Sequence, residues 1–253
     1  MSDPAYEARR AEIARISASW TPGTPAPTID YTETEHEVWR TLCRELRPLH
    51  QRFAHSSYLE AWDRAALPTD RVPQLEEVSA AVGFRFLPAP GLVPLRTFYS
   101  ALADRTFHST QYLRHPDTPL YTPEPDLAHE VVGHGVCLAA PPLAELHRLT
   151  GEAARRCETD AELQFLARVF WYTAEFGVAR EDGELKAYGA GLLSSYGELG
   201  HFRNAEIRPL DFEAMGTAVY DISEYQPVLY LTEDLDEVYA FLEGYAHKDR
   251  LGV

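Results

Sequence analysis

The segment His129-Glu130-Val131-Val132-Gly133-His134 sets two imidazoles and a carboxylate close together along the chain, a combination suited to holding a metal ion. In the zinc-peptidase pattern the histidines stand four apart on one helical face, with the glutamate as general base. Here they stand five apart, which on an ideal α-helix rotates the second ring about 140° around the axis. Both rings reach one ion only if the helix ends or distorts between them, and Gly133 is where that is easiest. The spacing therefore disfavours a zinc hydrolase using Glu130 as base. Two histidines and one carboxylate on one side of iron(II) leave positions open for oxygen and substrate, as in non-haem oxygenases. From this segment alone, two ordinary helix-face histidines are the plain alternative. Glu152, Glu158, Glu162 and Glu175 are all downstream candidates for a third ligand. Glu175 stands out by its setting, Phe170-Trp171-Tyr172-Thr173-Ala174-Glu175-Phe176-Gly177, where an unpaired carboxylate would be costly.

These groups need a scaffold, and apolar spacing points to a mostly helical one. Val38, Trp39, Leu42, Cys43, Leu46 and Leu49 recur at intervals near three and four, which predicts a helix over this stretch. Tyr58, Leu59, Trp62 and Ala66 predict a second helix, stopped by Pro68. Leu75, Val78, Ala81 and Val82 predict a third, closed by Gly83. The first 32 residues are expected as an extended N-terminal arm, Thr21–Thr32 being rich in proline and threonine. Phe84–Pro88 and Phe107–Leu113 are expected as short strands flanking a helix at Phe98–Ala103. Pro125–Leu138 is a predicted helix with proline at its entrance. Further helices are expected near Pro142–Ala154, Ala161–Ala179 and Asp234–Tyr245, with small strands at Gly189-Ala190-Gly191 and Val228–Leu231. The fold class expected is mostly α with minor β, in a single catalytic domain spanning residues 1–253.

Composition narrows the function. With 253 residues, 45% hydrophobic and 11% aromatic, the chain can bury a large core. No apolar run approaches the roughly 20 residues needed to cross a bilayer, and the charged start, with Glu7, Arg9, Arg10, Glu12 and Arg15, is not a secretory signal. A formal charge of −16 argues against nucleic acid as partner. Three scattered cysteines, Cys43, Cys137 and Cys157, suit a reducing cytoplasm rather than a disulfide framework.

Three longer runs carry a resemblance. Tyr121-Thr122-Pro123-Glu124-Pro125-Asp126-Leu127-Ala128-His129-Glu130 with Gly133-His134, then Phe170–Gly177, then Lys186-Ala187-Tyr188-Gly189-Ala190-Gly191-Leu192-Leu193-Ser194-Ser195-Tyr196-Gly197-Glu198-Leu199, together resemble the pterin-dependent aromatic amino acid hydroxylases. The similarity is collinear from about Val82 to Leu235 and closest to the compact bacterial form; without the regulatory domain and assembly helix of the animal enzymes, a monomer is expected. The resemblance implies Fe(II), O₂ and a tetrahydropterin co-substrate, with His129, His134 and Glu175 as iron ligands. It implies that Arg114 pairs with the carboxylate of a free amino acid, a natural task for a guanidinium fork. Thr122 and Ser194 match hydroxyls that help hold substrate and orient the first histidine. Pro125 and Trp171 match the walls around the substrate ring. Phe98 matches the aromatic that stacks on the pterin, with Glu130 and His108 beside it. Three positions depart from the family: Val136 stands where proline is usual, Phe170 replaces a tyrosine near iron and pterin, and Ile222 occupies a position that differs between phenylalanine and tyrosine enzymes. The apolar Ile222 favours a phenylalanine-like substrate. Conversion of phenylalanine to tyrosine is the first expectation, meta hydroxylation of phenylalanine the second and tryptophan hydroxylation the third. A non-catalytic sensor of an amino acid and iron is the rival from another class.

Overall fold

The structure, a computed structural model, describes residues 3–222 and 224–246. The first helix, α1 (Pro4–Ala18), is capped by Asp3, whose carboxylate accepts from the N–H groups of Ala5 and Tyr6. Residues 4–18 are therefore not part of an extended arm. The helix was hidden in the sequence because it buries only Ile13 and Ser17 and shows no apolar stripe. Ser17 reaches the buried Gln111 at 3.0 Å and Tyr6 reaches the Leu113 carbonyl at 3.0 Å, so α1 is held against the chain that precedes the histidines. Thr21–Thr32 forms no helix or strand, as its composition implied.

Helix α2 (Glu33–Phe53) begins with a capping box between Thr32 and Glu35 and buries the predicted stripe Val38, Trp39, Leu42, Cys43 and Leu46. The short helices α3 (Ser56–Ala65) and α4 (Leu75–Val82) follow, the latter ended by Gly83 at a φ of 74°. Strand β1 (Arg85–Pro88), helix α5 (Leu95–Leu102) and strand β2 (Thr106–Ser109) come next, β1 and β2 pairing in parallel. The second strand stops four residues short of Leu113.

Residues 127–139 run as one helical segment, but His129–Gly135 is wound as a π-helix before α6 (Val136–Ala139). Helix α7 (Pro141–Arg156) is buried along Leu143, Leu146, His147 and Thr150. Helix α8 (Asp160–Phe170) passes into a second π-turn, Trp171–Glu175, closed by the Phe176 N–H donating to the Trp171 carbonyl at 2.9 Å. The helix expected to reach Ala179 thus ends at Glu175. The chain turns there into the hairpin β3 (Val178–Glu181) and β4 (Glu184–Ala187).

Gly189–Gly191 does not make a strand. It opens the short helix α9 (Ala190–Ser194). A Cβ on Gly189 would lie 2.3 Å from the Glu175 carbonyl oxygen, so glycine here permits the backbones of the two motifs to touch. Helix α10 (Tyr196–His201), strand β5 (Glu206–Pro209), helix α11 (Phe212–Thr217), strand β6 (Val228–Thr232) and helix α12 (Leu235–Ala246) follow among the described residues. The larger sheet has the order β4-β3-β6-β5, with β3 antiparallel to β4 and the other pairs parallel. The architecture is mostly α with minor β in one catalytic domain. Its principal core cluster extends from Ile13 to Leu242 through both histidine-bearing and glutamate-bearing segments. Among the described residues no helix is long and apolar enough to cross a membrane.

Candidate active site

The π-turn resolves the five-residue histidine spacing. Bonds between residues five apart widen each turn, so side chains at i and i+5 come to lie above one another instead of about 140° apart. The Val136 N–H completes this winding by donating to the Val131 carbonyl. Proline, which has no N–H, could not make that bond, so the departure at Val136 adds a hydrogen bond to the turn. Gly133 allows α9 to lie directly on it, because a Cβ there would meet the Ala190 carbonyl oxygen at 2.7 Å.

On this turn the His129 and His134 rings stand 5.0 Å apart and nearly perpendicular. The second π-turn delivers Glu175 between them, its carboxylate 2.8 Å from His134 Nε2 and 3.9 Å from His129 Nε2. One atom from each of the three residues lies within 4.8 Å of the other two, close enough for one ion to touch all three. Burial pushes the His129 imidazolium down to a pKa of about 4, keeping the ring neutral. Burial would raise Glu175, but its close contacts with the His134 and His129 rings outweigh this and hold its pKa down. Two imidazoles and an ionised carboxylate are the donor set that iron(II) accepts.

Partners outside the triad orient these groups. His129 Nδ1 lies 2.8 Å from Ser194 Oγ, whose own proton points to the Gly191 carbonyl at 3.4 Å. His129 therefore donates from Nδ1 and presents a bare Nε2. Phe170, buried, lies parallel to His134 at 6.2 Å between centroids, and Phe107 packs on His134 at 4.8 Å. Glu130, next in sequence to His129, makes no hydrogen bond from its carboxyl to a described residue. Burial, then the charges of Glu175 and Asp126, raise its pKa well above the usual range.

Arg114 is buried, 3% exposed, not at the surface. Its Nε and Nη2 donate to Asp126 at 2.9 and 2.8 Å, and its backbone N–H donates to the same carboxylate. The fork expected to grip a substrate carboxylate is thus engaged internally, and a substrate meets only the donors left over. Asp126 also accepts from the His129 N–H at 3.0 Å, linking the arginine directly to the histidine turn. Thr122 closes a turn with Glu124, and Pro125 follows on the exposed loop that leads into the helix. Trp171 is clamped, donating from Nε1 to Gln226 Oε1 at 3.0 Å and stacking on Tyr220 at 4.2 Å. Ile222 sits on the loop carrying those two partners and is 69% exposed.

Phe98 is half-buried on α5, edge-on to Phe107 at 5.3 Å and to Phe170 at 6.4 Å. His108, on β2 beside Phe107, has an enclosed Nδ1 without a partner. A partly open aromatic ring, an unpaired buried nitrogen and an unpaired carboxyl at Glu130 are features a flat, polar-edged pterin would satisfy. Sequence reasoning missed Asp126, His147, Tyr99 and Gln226. Asp126 stood in plain view inside the quoted motif. The other three carry no spacing signal and are recruited by packing.

A pair of imidazoles with one carboxylate, held on two π-turns of a helical domain, has the character of a mononuclear non-haem iron oxygenase centre. The chain belongs to the biopterin-dependent aromatic amino acid hydroxylase family, whose sequence model matches residues 1–250. It is 53% identical over 242 residues to phenylalanine 3-hydroxylase of Streptomyces coeruleorubidus, covering 94% of this chain and 87% of that protein. Bovine phenylalanine-4-hydroxylase is 37% identical, but this chain, matched over 96% of its length, spans only 56% of the bovine one. Among solved structures, Chromobacterium violaceum phenylalanine hydroxylase with bound iron(III) and 7,8-dihydrobiopterin superposes with a TM-score of 0.85 at 26% identity, covering 98% of this chain and 93% of that one. This chain is accordingly an iron- and pterin-dependent aromatic amino acid monooxygenase.

Proposed function

We propose that this enzyme hydroxylates the ring of free L-phenylalanine, with para attack giving tyrosine, and that His129, His134 and Glu175 hold its iron. The observation that carries the ligand reading is the meeting of three donor atoms within 4.8 Å from two separate π-turns. Iron and tetrahydropterin, when bound, supply the activation of O₂; the protein's share is binding, orientation and the exclusion of water. Ser194 holds the His129 ring. The Arg114 donors not taken by Asp126 anchor the substrate carboxylate, with Thr122 at the mouth of the same loop. Pro125 and the clamped Trp171 wall the substrate ring. Phe98 stacks on the pterin, with Glu130 and His108 meeting its polar edge. Phe170 packs His134 from one side without adding a hydroxyl. Tyr99, edge-on to Phe170 at 5.1 Å, brings a buried hydroxyl to this region. Burial, then the charges of Glu175 and Tyr220, raise its pKa well above the usual range.

Phenylalanine is favoured because the relative that matches over nearly its whole length is named for that substrate, as is the solved bacterial neighbour. Meta attack is the second reading, favoured by the 53% identity to a phenylalanine 3-hydroxylase. Monomeric assembly and a cytoplasmic location complete the proposal, the location supported by the scattered, buried thiols. The deciding experiment incubates the purified enzyme with Fe(II), tetrahydropterin and phenylalanine, tyrosine or tryptophan, and separates tyrosine from meta-tyrosine by chromatography. Tyrosine from phenylalanine is expected. Meta-tyrosine alone would install the second reading, and turnover confined to tryptophan would overturn the substrate assignment.

A further inference from the structure

His147 lies on α7, thirteen residues beyond His134, and is 1% exposed. Its Nδ1 is 2.7 Å from the Leu143 carbonyl and its Nε2 is 3.2 Å from His134 Nδ1. A carbonyl oxygen can only accept, so His147 carries its proton on Nδ1. Its Nε2 is then a lone pair. The neighbouring nitrogen must bring the proton to that contact, so His134 is protonated on Nδ1, and in the singly protonated ring that a metal ligand requires its Nε2 is bare. That bare nitrogen is the one facing Glu175. The two rings stand perpendicular, with centroids 5.5 Å apart, an arrangement that lets an N–H meet an in-plane lone pair.

We infer that His147 is a positioning residue that selects the metal-binding tautomer of His134 and holds its ring, with the Leu143 carbonyl as the end of the relay. The inference rests on the reading of His134 as an iron ligand. A histidine buried only to fill space would be satisfied by Leu143 alone, with its second nitrogen against carbon. Here that nitrogen is aimed at the remaining donor of a triad residue, and burial denies water the same role. The neighbours Phe170 and Phe107 offer no acceptor to replace it. Metal-bound imidazoles commonly depend on an acceptor at the far nitrogen, and loss of that acceptor weakens metal binding about 10–100-fold.

The test measures Fe(II) affinity of the apoprotein by competition with a chromophoric chelator, for the natural chain and for His147→Leu, His147→Gln and His134→Ala. Melting of each apoprotein reports folding. His147→Leu should bind iron about 10–100-fold more weakly. His147→Gln, whose amide oxygen can accept from His134, should recover most of the loss. On the natural protein loaded with diamagnetic Zn(II), ¹⁵N spectra of the imidazoles should show both His134 and His147 protonated at Nδ1, a readout that needs no variant to fold. Unchanged affinity in a folded His147→Leu, or a His147 proton found on Nε2, overturns the inference while leaving the ligand set intact. Full iron affinity in His134→Ala overturns the ligand set, and the inference with it.

Discussion

Arg114 and Asp126 form a two-point ion pair in which both side chains are almost wholly enclosed. Removing one partner of such a pair strands the other, and the cost is typically about 3–5 kcal/mol. Asp126→Ala also deprives the His129 N–H of its acceptor. That variant should melt well below the natural protein, by more than about 6 °C for a chain of this size, and calorimetry measures it. Arg114→Lys keeps the charge but loses the planar fork, and should raise KM for the amino acid about 10-fold or more. An unchanged KM would place the substrate carboxylate elsewhere. Glu198 offers a pH-dependent case away from the triad. Burial pushes its pKa up to about 7, although it accepts the Gln226 N–H at 2.8 Å. An unfolded glutamate titrates near about 4.3. Between the two values the folded protein keeps a proton that the unfolded chain has released, so stability falls as pH rises through this window and levels off above it. Glu198→Gln preserves the carbonyl acceptor and removes the titration. Its melting temperature should vary less between pH 5 and 8 and exceed the natural protein's above pH 7, by about 2–3 kcal/mol in stability. Parallel melting curves across that range would contradict the assignment.

At the scale of elements, the two π-turns do most to build the site. The first brings residues five apart onto one face, and the second ends α8 so that Glu175 arrives beside them. Neither turn stands alone. The Tyr58 hydroxyl donates to the Val132 carbonyl at 2.7 Å, and α9 lies on Gly133 while supplying Ser194 to His129. Gly133→Ala tests this contact. Its methyl would sit 2.7 Å from a backbone oxygen that cannot swing aside, so the turn and α9 must separate. Overpacking of this kind costs about 1–3 kcal/mol. Lower thermal stability and weaker iron binding should appear together, as calorimetry and a chelator titration would record. A variant that lost stability but bound iron normally would show that α9 is not needed to place the histidines.

On the proposed ligand set the whole molecule couples the metal to stability, because the donors come from segments more than 40 residues apart and meet only in the folded state. An ion that binds the folded chain alone stabilises it by about 2.7 kcal/mol when present at 100 times its dissociation constant. For a chain of this length that corresponds to about 5–10 °C in melting temperature. Chelation should lower the melting temperature by that amount and Fe(II) should restore it, whereas His134→Ala should respond to neither. The net charge of −16 is the excess of carboxylates left beyond many surface ion pairs, such as Arg71 with Glu77 and Arg208 with Glu206, each worth little alone. The last helix, α12, buries Val238 and Leu242 and ties itself to α7 through Tyr239, which donates to the Pro142 carbonyl at 2.6 Å. It thereby covers the helix that carries His147.

What the sequence determined by itself was set by local rules. Apolar spacing marked α2, α3, α4 and α7, because a helix buries one face and repeats near 3.6 residues. The pairing of His129 with His134, and the apolar setting of Glu175, pointed to a metal site of this class before any coordinate. The motifs in order along the chain pointed to the family, to iron and to the pterin. Other features were decided only in three dimensions. The winding of His129–Gly135 as a π-helix, with Tyr58 and α9 packed on it, is announced by no periodicity. The glycines at 189–191, expected in a strand, mark a close approach that depends on where Glu175 lies. Helix α1 shows no stripe because two buried side chains suffice to dock it. The side-chain partners, Asp126 for Arg114 and His147 for His134, are set by tertiary packing. A hydrogen bond depends on distances of about 3 Å in space, and separation along the chain carries no information about them.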